Sequence, residues 1–400
     1  MKSAVALTEE IDDPELAAVV LSAAIRRQLK FGKSTIGIVY CDADVAVGEL
    51  GKRLHEILEI DIVGVTTTAS LERHAGYHDM GIVFAVITGD DVAMAVGDTG
   101  ELDKQAFDRQ IRSAYDTARA RLSEDPKLIL LCAPYISDLT SENYIEVLDA
   151  VSGHVPVFGG VATDHYDLQY QKTFFNGKAY AGGLVFVLMS GNIRPVFAMT
   201  HHFGAKTERK GIITQSSGNQ IERVGDQTFK DYLSAIMPVP EDELVIYHFQ
   251  STPFVMEMPD YESSEEPVVR ALCTLNHQTG AGGFLSKMPE GSTLSINVLQ
   301  RDDLRKSCRK TLDHLVEKMH AHPDYTYSLI LISTCNARHL LMGDKKNLEM
   351  EIIIEKLSDL DPDLNAIGFY GFGEMCPTAI SATGEAKNRF HNVSFALCAF

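Results

Sequence analysis

The chain has 400 residues, 45% of them hydrophobic and 23% charged, with a formal net charge of −19. That composition suits a soluble globular protein of two or three domains, and so much negative charge repels phosphate backbones and anionic lipid, which argues against nucleic acid as a partner. No stretch approaches the roughly 20 apolar residues of a membrane span, residues 1–10 turn acidic too soon for a secretory signal, and seven scattered cysteines without Cys-x-x-Cys read as reduced, buried thiols of a cytoplasmic protein.

In chain order, the first element is a helix expected over 14–30. Asp12 and Asp13 supply its cap, Pro14 suits its first turn, and Leu16, Val19, Val20, Ala23 and Ile25 give an apolar stripe. A strand is expected at 35–41, an amphipathic helix at 48–58, and a strand at 62–67 that runs into Thr66-Thr67-Thr68. Strands at 82–87 and 92–96 read as a hairpin across Thr88-Gly89-Asp90-Asp91. The order then begins again with a helix at 103–122, a strand at 127–132, a helix at 141–151 and a strand at 155–158 that reaches Gly159-Gly160. A hairpin at Asn176-Gly177 and strands at 184–189 and 195–200 close that round. The third round has helices at 302–320 and 348–360 and strands at 329–333, 365–370 and 393–398.

Residues 204–301 are less regular. The pattern there gives a hairpin across Ser217-Gly218-Asn219, a helix at 227–237 stopped by Pro238 and Pro240, and strands at 244–249 and 268–274. The acidic, proline-flanked stretch 257–267 reads as a mobile loop. Helix, strand, helix, strand, hairpin, three times over, implies an α/β fold with mixed sheets built from duplicated modules. Two domains are expected, 1–226 with modules at 13–100 and 101–204, and 227–400.

Ligands of open α/β sheets gather at strand ends, where loops splay and backbone donors face a crevice. Three such ends are polar: Thr66-Thr67-Thr68, Gly160 with Thr163-Asp164, and Gly373-Glu374. They form either a pocket for a small polar molecule or ordinary turns closed by Gly, Asp and Thr. Arg338 could hold a ligand carboxylate and Glu374 an amine, or the two could pair with each other. Cys335, His391 and Asn392 are the residue types of a nucleophile, a base and an orienting group. They serve equally as a buried thiol and a pair that satisfies backbone groups. His201 and His202 are adjacent on a strand and point to opposite faces, so the two rarely share a metal. One of them, or His248 in its apolar run, is a candidate haem ligand, while His74, His78 and His165 could line the same crevice. No zinc spacing occurs, and Gly97-Asp98-Thr99-Gly100 is too short for a nucleotide fingerprint.

The chain resembles the FIST sensory family. In the N-terminal half the resemblance rests on Val63-Gly-Val-Thr-Thr67, Phe158-Gly-Gly160, Phe175-Asn-Gly177, Gly183-Leu-Val-Phe186, Ile213-Thr214 and Gly218-Asn219. In the C-terminal half it rests on Pro289-Glu-Gly291, Cys335-Asn-Ala-Arg338, Leu341-Met-Gly343, Gly368-Phe-Tyr370, Gly373-Glu374 and His391-Asn392. The ordered set spans about residues 30 to 400. Thr67-Thr-Ala-Ser-Leu71 stands where many members carry a small-residue turn with Gly-Glu, and the sequence ends inside its last strand, without a fused output module. The resemblance implies a cytoplasmic sensor of small molecules such as amino acids, with output through a separate partner. A branch of stand-alone members binds haem, senses nitric oxide and regulates a histidine kinase. Residues and resemblance together give Thr66, Thr67, Gly160, Thr163, Asp164, Arg338, Tyr370, Glu374, His391 and Asn392 as ligand-binding candidates. No cofactor or metal is expected, with haem as one alternative and an enzyme using Cys335 and His391 as another.

Overall fold

The computed structural model describes residues 1–201, 205–236, 252–258, 268–379 and 386–400. Three six-stranded sheets share one design. The first runs Lys2–Thr8, Ile82–Gly89, Ser34–Asp42, Asp61–Thr67, then the hairpin Thr173–Phe175/Lys178–Tyr180. The second runs Val92–Glu101, Gly183–Gly191, Leu128–Ala133, Val157–Val161, then the hairpin Glu374–Ala379/Ala386–His391. The third runs Val196–His201, Ser394–Ala399, Leu329–Cys335, Asn365–Gly371, then the hairpin Ser70–Glu72/Gly76–His78. In each sheet the third and fourth strands are parallel and every other pairing is antiparallel.

The three rounds of the sequence are thus interlocked in a ring. Each sheet is finished by a hairpin that follows the parallel pair of a neighbouring round. This overturns the expected hairpin of 82–87 with 92–96. Ile82–Gly89 belongs to the first sheet and Val92–Glu101 to the second, so the turn between them carries the chain from sheet to sheet. Gly183–Gly191 and Val196–His201 part in the same way.

Strand alternation sends one face of each sheet inward and one outward. The inner faces meet in one apolar cluster, with Tyr40 and Val65 from the first sheet, Leu130 and Phe158 from the second, and Leu331 and Phe369 from the third. A pair of helices covers each outer face: Pro14–Gln28 with Val47–Leu58, Phe107–Arg119 with Ser141–Ser152, and Arg301–His320 with Leu348–Leu360. Pro14–Gln28 is capped by Asp13, whose carboxylate accepts the Leu16 amide at 2.9 Å. Its buried face is not the expected stripe. Ala17, Ala18, Leu21, Ser22 and Ile25 are buried, while Leu16, Val19 and Val20 are exposed. The small side chains of Ala17, Ala18 and Ser22 let this helix lie close on its neighbours, and Leu21 and Ile25 fill the core beneath it.

The described strands between Ala205 and Val298 form an inserted antiparallel sheet with its own core around Phe229, Phe254 and Phe284. Ala205–Ser217 and Gln220–Val224 make the expected hairpin, turning at Gly218 with φ 60°. The helix Phe229–Ile236 packs on it. The strand expected at 244–249 and most of the loop 257–267 lie outside the described residues. All seven cysteines are free thiols, and among the described residues no helix is long and apolar enough to cross a membrane.

Candidate functional site

Cyclic exchange brings the polar strand ends together at one place, where they bond to each other. The Thr66 hydroxyl donates to the Thr163 carbonyl (2.9 Å), and the Thr163 amide donates to the Thr66 carbonyl (3.0 Å). The hydroxyls of Thr163 and Thr67 both donate to the Tyr370 carbonyl, at 2.8 and 3.0 Å. The Thr68 amide donates back to the Thr163 hydroxyl at 2.8 Å. Thr66, Thr67, Thr163 and Tyr370 are all fully buried. Gly160 closes the packing: a Cβ there would stand 2.6 Å from Ser333 Oγ and 2.8 Å from Phe369 Cζ. These five candidates therefore knit three sheets together and leave no hollow at the junction itself.

The other candidates are also committed inward. The Asp164 carboxylate accepts the amides of Asp167, Leu168, Gln169 and Tyr170 at 2.8 to 3.1 Å, which shapes the loop after its strand. Arg338 does not pair with Glu374. Its Nε lies 2.7 Å from Glu349 Oε1 and its Nη1 donates to Ser307 Oγ at 3.1 Å. Glu374 Oε2 accepts from Ser394 Oγ at 2.6 Å, and burial pushes this carboxyl well above the usual carboxylate range. Asn392 Oδ1 accepts from Ser286 Oγ at 2.9 Å and its Nδ2 donates to the His391 carbonyl at 2.9 Å.

The geometry does not support Cys335 and His391 as a nucleophile and base. His391 Nε2 is 3.1 Å from the Cys376 carbonyl and its Nδ1 is 3.1 Å from His201 Nε2, so both ring nitrogens are taken. Burial holds His391 well below its ordinary pKa and pushes His201 down to about 3, helped by the charges of Arg270 and Arg389. Burial and the neighbouring Glu374 push the Cys335 thiol well up, which disfavours the reactive thiolate. His201 is engaged with His391, and His202 and His248 lie outside the described residues. His165 Nε2 lies 3.4 Å from both Asp42 Oδ1 and Asp44 Oδ2; His165 and Asp44 are exposed and Asp42 is buried.

A cavity does open beside the junction. It has a volume of about 420 Å³, within the range of small-molecule sites. Its floor is the strand-end sequence Cys335-Asn336 with Gly371-Phe372, and Ala337 and Leu340 form one wall. Tyr166 and Leu168, from the loop that Asp164 shapes, form another. Ala271, Leu272, Cys273 and Leu285 of the inserted sheet roof it. Most of its surface is apolar, and no charged side chain is among its described lining residues. Asn336 is 3% exposed, with its carboxamide closed off from open space beside the Tyr166 hydroxyl. The Tyr166 hydroxyl lies 2.8 Å from His339 Nδ1, and His339 Nε2 lies 2.8 Å from the Tyr77 hydroxyl. Burial and Lys346 hold His339 down to about 4, so the imidazole is neutral.

Residues 35–227 match the FIST N domain and residues 227–377 the FIST C domain. The chain belongs to the FIST family. FIST domains are sensory domains of signal transduction rather than catalytic ones. Comparison with curated proteins gives no match. Among solved structures, the FIST chain is similar to a cyanuric acid hydrolase from A. caulinodans at 14% identity, covering 74% of this chain and 99% of that one. The TM-score is 0.28.

Sequence reasoning passed over Asn336, Tyr166 and the roof of the FIST cavity. Asn336 stood inside the quartet Cys335-Asn-Ala-Arg338, but its charged and nucleophilic neighbours drew the attention. Nothing in the pattern of 204–301 showed that Ala271–Cys273 and Leu285 fold over the strand ends.

Proposed function

We propose that this FIST protein is a sensor that binds a small molecule in the cavity between the third sheet and the inserted sheet, with output carried by a separate signalling protein such as a histidine kinase. The observation that carries the reading is the position of that cavity: strand ends below and a sheet with its own core above. Two units that meet over a ligand can change their contact when it binds, which is what a sensor needs. Tyr166 supports the transmission step. It touches the cavity and reaches through His339 to Tyr77, on the exchanged hairpin of the first round. An amino acid loses its expected anchors here, because Arg338 and Glu374 are bonded elsewhere.

A thermal-shift screen of small molecules tests the proposal, run in parallel on Leu340→Trp, which fills the cavity. A ligand specific for the folded state raises the unfolding temperature by mass action. Stabilisation of the native protein that is lost in Leu340→Trp is expected, whereas equal stabilisation of both would place the site elsewhere. A Soret band in the purified protein would favour the haem alternative.

A further inference from the structure

Six helices cover the outer faces of the three sheets, and five of them expose no large hydrophobic side chain among the described residues. The helix Pro14–Gln28 is the exception. Leu16, Val19 and Val20 are 44%, 49% and 39% exposed, and Ala23 is exposed beside them. At the spacing i, i+3, i+4 and i+7 these four make one stripe along the outside of the helix. The helix is therefore apolar on two faces. Ala17, Ala18, Leu21 and Ile25 pack inward against the first sheet and the helix Val47–Leu58, while the stripe faces solvent. An apolar face rimmed by polar groups marks an interaction site. The rim here includes the ion pair of Glu15 with Arg53, 2.9 Å apart.

The charges at the two ends of the stripe say what covers it. Asp12 and Asp13 stand where the helix begins, and Arg26 and Arg27 lie in its last turn. Both arginines reach backbone carbonyls, and no ion pair joins either to a carboxylate among the described residues. Two copies of the helix laid antiparallel about a twofold axis between Val19 and Val20 bring together residues equally far from that axis. Val19 then meets Val20 of the second copy, Leu16 meets Ala23, and Asp12 meets Arg27, with Asp13 and Arg26 on the flank. The large leucine falls against the small alanine, and every facing charge is opposite. The two helix dipoles also run head to tail. A parallel pair would set acid on acid and base on base. A surface that complements itself under a twofold axis is what an isologous interface requires. We infer that the protein forms a twofold dimer through Pro14–Gln28, antiparallel, with Val19 of each copy against Val20 of the other. A helix of 15 residues makes a small interface, so the dimer is a micromolar rather than a nanomolar one.

Sedimentation equilibrium of the full-length protein, from about 1 to about 200 μM, tests this. The native protein is expected to reach twice the chain mass at the top of that range. Val19→Glu sets a carboxylate in the stripe at an exposed position, and should weaken the dimer at least about tenfold, since that charge would be buried unpaired. Asp12→Lys alone and Arg27→Glu alone should each weaken it as well, because like charges then face each other twice. An equimolar mixture of those two variants should recover the native affinity, because every facing pair is opposite again. If Val19→Glu does not fold, the charge-swapped pair decides alone. A native protein that stays monomeric at the top of the range overturns the inference, and flotation of that monomer with phosphatidylcholine vesicles would give the stripe to a lipid surface instead. A dimer indifferent to Val19→Glu forms through another surface and overturns it too. A mixture that binds no more tightly than either variant alone overturns the antiparallel register.

Discussion

Arg338 and Glu349 form a fully buried ion pair, with Nε and Nη2 of the arginine each 2.7 Å from the same carboxylate oxygen. The second oxygen of Glu349 accepts from Thr334 Oγ1 at 3.0 Å and from the Tyr370 hydroxyl at 3.1 Å. The pair joins the short helix Asn336–Met342 to the helix Leu348–Leu360, and through Tyr370 reaches the junction of the three sheets. Removing one partner leaves an uncompensated buried charge, which costs about 3–5 kcal/mol. Arg338→Met should therefore lower unfolding stability by that amount in urea denaturation. The double variant Arg338→Met/Glu349→Gln removes both charges and keeps an acceptor for Thr334 and Tyr370. It should recover about half of the loss or more; a double variant as unstable as the single one would mean that packing, not charge, was lost.

The junction itself can be tested at Thr163. Its hydroxyl donates to the Tyr370 carbonyl and accepts from the Thr68 amide, both at 2.8 Å. Thr163→Val preserves the shape and orphans the buried Thr68 amide, while the Tyr370 carbonyl keeps its bond from the Thr67 hydroxyl. At roughly 1–3 kcal/mol for an unsatisfied group, a loss of about 1–3 kcal/mol is expected. A change under about 0.5 kcal/mol would mean that the bonds at the junction contribute little.

The His201–His391 pair sets a pH dependence. Both rings are buried neutral, with His201 pushed down to about 3 and His391 also held low. The unfolded chain takes up protons near pH 6.5 that the folded chain refuses. Stability from these groups is thus complete above about pH 6.5 and declines as pH falls towards 3. Glu374 runs the other way, because a raised carboxyl pKa favours the folded state below about pH 4.5 and loses that advantage as pH rises. Between about pH 6.5 and 5 the histidines give the native protein a positive slope of stability with pH. His201→Gln should reduce that slope by up to about 1.4 kcal/mol per pH unit, the value of one proton. Denaturation curves at pH 7, 6 and 5 read it directly, and an unchanged slope would show that the pair is protonated in the fold.

Cys335 offers a check on the excluded enzyme reading. A buried thiol whose titration is pushed upward has little thiolate at neutral pH. Iodoacetamide at pH 7 should label it only as fast as the structure opens, and peptide mapping over time would show it. Labelling within seconds would restore the nucleophile to consideration.

The parts of the fold carried by local pattern were legible in the sequence. The helix Leu348–Leu360 falls where periodicity places it, and the strand Leu329–Cys335 begins where expected. What stayed hidden depends on partners far along the chain. Ser70–Glu72 is three residues long and becomes a strand because Ile367, Gly368 and Phe369 pair with it. Ile82–Gly89 and Val92–Glu101 carry the same turn signals whether they fold back on each other or part into two sheets. Lys2–Thr8 was read as a plain terminus, since its strand character comes from pairing with Ile82–Gly89. At the site, the polar strand ends were legible, but their role was not. A threonine that lines a pocket and one that bonds a neighbouring sheet look alike until the neighbour is known. The cavity was hidden for a related reason: its lining comes from separate stretches of chain that only the fold brings together.

Cyclic exchange of hairpins predicts how the protein comes apart. Asn176 shows how firmly one exchanged hairpin is held. Its amide donates to the Ile62 carbonyl at 2.7 Å, its Oδ1 accepts from the Ile62 amide at 2.8 Å, and its Nδ2 reaches Asp61 at 3.1 Å. Equivalent hairpins close the other two sheets, so no round of the sequence has a complete sheet without another. Modules joined only by linkers can unfold one after another, but modules that finish each other's sheets lose them together. The sequence has no tryptophan, so single reporters can be placed at will. Phe31→Trp, Phe107→Trp and Tyr325→Trp mark the first, second and third rounds at half-buried positions. Urea transitions followed by fluorescence of the three variants should share one midpoint once each is corrected for its own stability measured by circular dichroism. Three separated midpoints would mean that the rounds are independent units and that the exchanged hairpins hold them only loosely.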